Sequence, residues 1–345
     1  MDPQACALID VTEAAYDLQR GPEEWLPNLL EKGSALFDLG LGCTGALWAG
    51  QSAEGRPRIA QMCVEPGPPD LPLRFARAAR DAGPELTTET LAGEEFGVRT
   101  ASESSARFPG LLDAFERHVG CKDVLGIWAV DSSLHGVGIN TPSATRVSLS
   151  KRGRQRWERV AVHVANGDRL RRRLGCTTTQ ERPIDPTTQA EALIDPKGFR
   201  VVHAAPRSEC KSRREDLREA AMAVDAARSR LRGRDPDRAM ELWDQVVRGR
   251  CSVVDWFDSD GRRYMVVIAN DARCTDPRGL DEREYKVATL AAQGASSKRI
   301  GYELGVSRQR ISALLHSAMR KLGVRTQPEL VLKMSGFRRS GDPAA

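Results

Sequence analysis

Long uncharged apolar runs are absent from this 345-residue chain. Nowhere do about eighteen such residues follow one another, so no membrane-spanning helix is expected. The first twenty residues mix acids with apolar side chains and lack a basic start followed by an apolar core, so no signal peptide is expected. The eight cysteines include no C-x-x-C pair and no histidine at ligand spacing. That argues against a structural zinc site and fits buried or half-buried thiols in a cytoplasmic protein. Cys210, next to Lys211, is the least poor candidate for a reactive thiol, and the pattern argues against it. Histidine is scarce: His118, His135, His163 and His203 stand apart from any acid or nucleophile pattern and read as structural or surface residues. No G-x-x-x-x-G-K-[ST] loop is present, which excludes a P-loop nucleotide site. An enzyme is therefore not expected, nor a metal or cofactor.

What is present is ordinary globular composition, 40% apolar and 29% charged, with one unusual segment near the C-terminus. From Leu280 to Leu332 amphipathic stretches alternate with residues that stop helices. Val287, Leu290 and Ala291 share a face, and the pattern breaks at Gly294. Ser296 can cap a second helix carrying Ile300 and Leu304, which ends at Gly305. Ser307 can cap a third, with Ile311, Leu314, Leu315, Ala318 and Leu322 inward. On the third helix Arg308, Gln309, Ser312, Ala313, His316 and Arg320 recur on the other side, and none is bulky and apolar. A helix that enters a DNA major groove needs such a face: slim, donor-rich and anchored from behind.

This segment resembles the C-terminal domain of LuxR-type transcriptional regulators. The pattern L-T-x-R-E-x-x-V-x-x-L-x-A-x-G-x-S-N-K-x-I-A-x-x-L-x-[IV]-S, closing on K-L-G-V, is met in register by Leu280, Arg283, Glu284, Val287, Leu290, Ala292, Gly294, Ser296, Lys298, Ile300, Leu304, Val306 and Ser307. Leu315 and Lys321 to Val324 continue it. Ser297, Gly301, Arg310, Ser312 and Leu314 depart from it, so the site on DNA need not be the family's usual one. The resemblance implies double-stranded DNA as partner, contacted by Ser296, Lys298, Ser307, Arg308, Gln309, Arg310, Ser312, Ala313, His316 and Arg320. It also implies a homodimer paired through Leu330, Val331 and Met334 of a fourth helix, on a palindromic site. Charge agrees: thirteen basic and six acidic residues fall between Arg278 and Ala345, in a chain of net charge +5. A cationic surface of this kind suits phosphate.

Upstream, a helix over about 11–30 leads to strands at 43–49 and 59–64, helices at 73–80 and 111–119, strands at 123–130 and 134–139, and a long helix at 147–174. That order resembles a GAF-like sensor, with Trp48 and Trp128 as core residues and pocket walls. The Arg169–Arg173 run reads as a solvated helix end. A second unit has a strand pair at 191–195 and 199–204, helices at 208–231 and 236–247, and a hairpin at 251–269 turning on Asp258 to Gly261; it resembles a reduced PAS-like module. Polar linkers lie at 176–189 and 271–279. The receiver-domain acidic cluster and the tryptophan, tyrosine and aspartate spacing of acyl-homoserine-lactone receptors are both missing.

The expected fold is α+β and multidomain. Residues 1–175 form a GAF-like sensor, 190–270 a PAS-like module, both with antiparallel sheets, and 278–338 an all-α four-helix helix-turn-helix domain. The expected protein is a cytoplasmic transcription regulator, nucleoid-associated when bound to DNA, with a small-molecule ligand or protein partner at its N-terminal part and no membrane contact. The alternative is an interaction protein whose helical bundle binds another protein.

Overall fold

Two helices, not one, begin the chain in its computed structural model, which describes residues 3–51, 57–83, 97–130, 135–175, 185–208, 211–248, 251–258, 260–269, 280, 282–322 and 324–335. The helix expected over 11–30 is interrupted by the turn ahead of Gly21 and Pro22. Helix α1 (Pro3–Ala15) ends before it, and α2 (Pro22–Lys32) starts with proline in its first turn. A proline there loses no helical hydrogen bond, and its fixed φ suits the first turn. Helix α1 is buried on nearly all sides, Ile9, Val11, Thr12 and Ala15 being fully enclosed. The Thr12 hydroxyl donates back to the Leu8 carbonyl at 2.9 Å, which lets a polar residue sit inside.

After the short α3 (Ser34–Phe37) come β1 (Thr44–Gln51) and β2 (Pro57–Val64), then α4 (Leu71–Ala82). Strand β3 (Gly97–Thr100) runs into the single-turn α5 (Ala101–Ser104), followed by α6 (Leu111–Val119), β4 (Asp123–Val130) and β5 (His135–Ser143). The five strands form one antiparallel sheet in the order β2-β1-β5-β4-β3. Apart from register shifts between β1 and β2 from Leu47 to Gln51, its residues alternate between two faces. Val98, Leu125, Ile127, Ala129, Val137 and Ile139 join the core built with α1 and α2. Ala46, Trp48, Val124 and Val130 look the other way, towards α4 and α6. Strand β3 was not legible: four residues are too few to show alternation.

The long helix α7 (Lys151–Arg173) starts on Ser150, whose hydroxyl accepts from Gly153 N–H at 3.1 Å. It packs on β3, β4 and β5 and also on α1. Beyond it lie β6 (Ala190–Asp195), β7 (Arg200–Ala204), α8 (Lys211–Arg228), α9 (Pro236–Arg248), β8 (Cys251–Phe257) and β9 (Arg263–Ala269). These strands make a second antiparallel sheet, β7-β6-β9-β8. Every residue from Met265 to Ile268 is buried, so β9 reads as a continuous apolar run rather than an alternating one. Of the expected linkers, 185–189 hold a 3-10 turn capped by Asp185; the rest lies outside the described residues.

One apolar core serves both sheets. Val160 and Val164 of α7, Ile9 of α1, Trp243 of α9 and Val253 of β8 belong to the same buried cluster. Polar groups thread through it. His163 Nδ1 meets the Tyr16 hydroxyl at 3.0 Å, and Asn166 Nδ2 reaches both that hydroxyl at 2.9 Å and Ser252 Oγ at 2.7 Å. Tyr16 stacks on Trp243 with centroids 5.8 Å apart.

The arginine run at the end of α7 is not simply a solvated face. Arg171 is 1% exposed. Its guanidinium donates to the Asp17 and Arg20 carbonyls just beyond α1, and it lies 5.0 Å above the Trp25 ring. Carbonyls near a helix C-terminus need donors, and a planar guanidinium serves two while its face rests on an aromatic. Replacing Arg171 with Met should leave both carbonyls without that donor and destabilise the fold by about 3 kcal/mol. Arg171→Lys should restore only part of this. A chemical-denaturation midpoint unmoved by Arg171→Met would overturn the assignment.

Candidate nucleic-acid interface

The C-terminal module is built from α10 (Glu282–Ala292), α11 (Ser297–Leu304), α12 (Arg308–Leu322) and α13 (Gln327–Ser335). Each junction is set by a local cap. Gly294 has φ +85°. The Ser296 hydroxyl accepts from Arg299 N–H at 3.3 Å and opens α11. Gly305 (φ 68°, ψ 29°) closes it in the left-handed region, where a Cβ would be strained. The Ser307 hydroxyl accepts from Arg310 N–H at 3.3 Å and opens α12. Ahead of α13, the Glu329 carboxylate accepts from Arg325 N–H at 2.6 Å and Thr326 N–H at 3.3 Å. The Arg325 N–H contact is the main reason its carboxyl is held below the ordinary range. That stabilisation is present above the ordinary carboxylate pKa and is lost as pH falls through the lowered one.

Inside the module, Leu280, Val287, Ile300, Ile311, Leu322 and Leu330 form a separate apolar cluster. The turn between α11 and α12 is drawn tight at Gly301. Its carbonyl accepts from Val306 N–H at 3.0 Å, and an added Cβ would stand 2.8 Å from the Val306 carbonyl oxygen. Here the departure from alanine has a structural counterpart. Glu284, matched as a pattern residue only, is 3% exposed. Its carboxylate accepts from Ser317 Oγ at 2.8 Å and Lys321 Nζ at 2.6 Å, which fixes the rotation of α12 against α10.

That rotation decides what α12 presents. Ile311, Ala318 and Leu322 are buried, whereas Arg308, Gln309, Arg310, Ser312, Ala313, His316 and Arg320 are exposed. At about 100° per residue, Gln309, Ala313, His316 and Arg320 lie opposite the buried stripe. Arg308 and Ser312 flank them on one side and Arg310 on the other. Ser296, Lys298 and Ser307 are exposed too. Ser296 and Lys298 share a shallow groove with Arg299, Tyr302 and Arg308, which brings α11 and the start of α12 onto one surface. Tyr302, which sequence reasoning passed over, is 93% exposed; an isolated tyrosine among polar residues carries no periodic signal.

The electrostatics of this surface are one-sided. Neither α11 nor α12 has an acid in its first turn. Instead Lys298, Arg299, Arg308 and Arg310 stand there, next to helix ends that are themselves positive. Cations so placed are unfavourable until an anion arrives, and free N–H groups at such ends are donors for phosphate oxygens. The three residues expected to pair two copies are divided: Leu330 and Met334, one turn apart, are buried in the module's own core, while Val331 is 39% exposed.

The family model for bacterial regulatory proteins of the luxR family matches residues 279–334. No curated protein matches the chain. The match spans α10 to α13 and assigns this module to the LuxR-type helix-turn-helix. Elsewhere, among the described residues, no group of three or more His, Cys, Asp or Glu could hold a metal ion, and no helix is long and apolar enough to cross a membrane. Burial pushes the Cys63 and Cys121 thiols up to about 11, away from reactivity; Cys210 lies outside the described residues.

Glu284→Ala should remove the tie between α10 and α12 and leave Lys321 without its carboxylate. A loss of about 2 kcal/mol corresponds to roughly thirty-fold faster amide exchange at Ile311 and Ala318. Unchanged exchange would show that the buried carboxylate does not position the helix.

Proposed function

We infer that the chain is a sequence-specific DNA-binding transcription regulator, acting as a homodimer and controlled by a ligand or protein partner at its N-terminal part. The observation that carries the reading is the exposed cationic face of α11 and α12, framed by two helix N-termini within a LuxR-type module. Gln309, Ala313, His316 and Arg320 lie in the groove and meet base edges. Lys298, Ser296, Ser307, Arg308, Ser312 and Arg310 flank them and hold phosphates or neighbouring bases.

Residues 278–338 are on this reading the output domain, and 1–175 and 190–270 the input. The strand order β2-β1-β5-β4-β3 supports the GAF-like assignment of the first, and the order β7-β6-β9-β8, one strand shorter, a reduced PAS-like second. Their shared core makes them one input body. Pairing of two copies rests on the exposed Val331 side of α13, with Leu330 and Met334 holding that helix in place.

Fluorescence anisotropy with genomic DNA fragments tests the reading. The full chain should bind a subset of fragments, and affinity should fall steeply with salt. Arg308→Ala with Arg310→Ala should weaken binding and make the negative slope of log K against log salt shallower by about 2, if both side chains hold phosphate. Equal, salt-insensitive affinity of wild type and variant would point to a protein partner for the bundle instead. Val331→Asp should halve the sedimentation mass while leaving the circular dichroism unchanged, since this side chain is not needed to complete the core. An unaltered mass would remove α13 from the dimer contact.

A further inference from the structure

The described residues leave the α4 and α6 side of the first sheet partly unfilled. A cavity of about 390 Å³ lies there, and its floor is shaped by missing side chains. Ala46, Gly138 and Trp128 form one cross-strand row, and Asn140 and Gly126 belong to the next. A Cβ at Gly126 would stand 2.7 Å from Trp128 Nε1. One at Gly138 would stand 2.8 Å from the Trp128 ring and 3.1 Å from Trp48 Nε1. The two indoles therefore converge over bare backbone at Gly138, and the space above them stays open under Phe75 and Phe115, which meet edge to face with centroids 5.6 Å apart.

Two further observations say what suits that space. Trp48 is 6% exposed, and its Nε1–H has no hydrogen-bond partner among the described residues. Buried indoles normally find an acceptor, as Trp25 does in the Ala14 carbonyl at 3.0 Å, because an unpaired donor is costly. Among the described residues the lining also includes Arg80 and Arg99 and no carboxylate, which favours an anion over a cation.

We propose that this cavity binds an aromatic carboxylic acid, with its rings against Trp128 and Phe115 and a carboxylate oxygen accepting the Trp48 Nε1–H. Flat rings suit a slot cleared by glycines, and a carboxylate satisfies the orphan donor. The site gives the regulatory half of the reading above a ligand class, but it rests on the cavity alone and stands or falls without reference to DNA.

Isothermal titration of the full chain, without DNA, with 2-naphthoate and with naphthalene tests this. Wild type should bind 2-naphthoate more tightly than naphthalene. Trp48→Phe keeps an aromatic ring and removes the donor; it should weaken 2-naphthoate about tenfold and leave naphthalene unchanged. Ala79→Trp, on the half-buried α4 wall, should abolish binding of both, and it serves as the second variant if Trp48→Phe fails to fold by circular dichroism. The proposal is overturned if 2-naphthoate does not bind, if it binds no better than naphthalene, if Trp48→Phe leaves it unaffected, or if Ala79→Trp leaves either compound bound.

Discussion

The contact between α1 and α7 is the constraint on which the N-terminal 269 residues depend. At Gly167 the two helices come so close that any Cβ would overlap the Ala15 carbonyl oxygen. One turn further on, Arg171 spends its donors on the carbonyls that follow α1. The seam is thus sterically closed at one point and hydrogen-bonded at the next. Because α7 backs the first sheet while α1 packs on α9, which with α8 backs the second, this seam helps set how far apart the two sheets stand.

Distance alone would not fix register, because apolar surfaces tolerate sliding. The buried run from His163 through Tyr16 and Asn166 to Ser252 supplies it: it ties two residues of α7 to Tyr16 at the end of α1 and to Ser252 of β8, and a shift of one turn would strand donors in a dry interior. At the edge of the same interface Arg228 is paired with Asp255 at 3.0 Å, and Arg232 with Glu13 at 3.2 Å and with Asp10. Burial is the main reason the Glu13 carboxyl is held above its ordinary range, with Arg228 pulling the other way.

The C-terminal module was the more legible half because its determinants are local. Ser296, Gly305 and Ser307 cap within three or four residues of themselves, and the apolar stripe of α12 repeats on the helical period. Leu330 and Met334 fall four residues apart, the spacing of a single face, yet the resemblance assigned them to pairing, and the structure buries both. What eluded the sequence was set at a distance. Arg171 sits in a string of arginines, and nothing nearby reveals that its acceptors lie at Asp17 and Arg20. Glu284 reads as one more acid on a helix until Ser317 and Lys321 are seen to close on it. Periodicity likewise shows that a strand has an apolar face but not which element meets it, so the merging of two modules into one core was not visible.

That merging has a thermodynamic consequence. Val253 and Trp243 of one half share a buried cluster with Val160 of the other, and Tyr16 stacks on Trp243, so each half covers apolar surface of its neighbour. The two sheets are accordingly expected to unfold as a single cooperative unit. Heat or denaturant should then remove both sheets in one transition, and a chain severed between them should expose apolar surface on each fragment. A ligand of the first half would thereby be linked to the stability of the second.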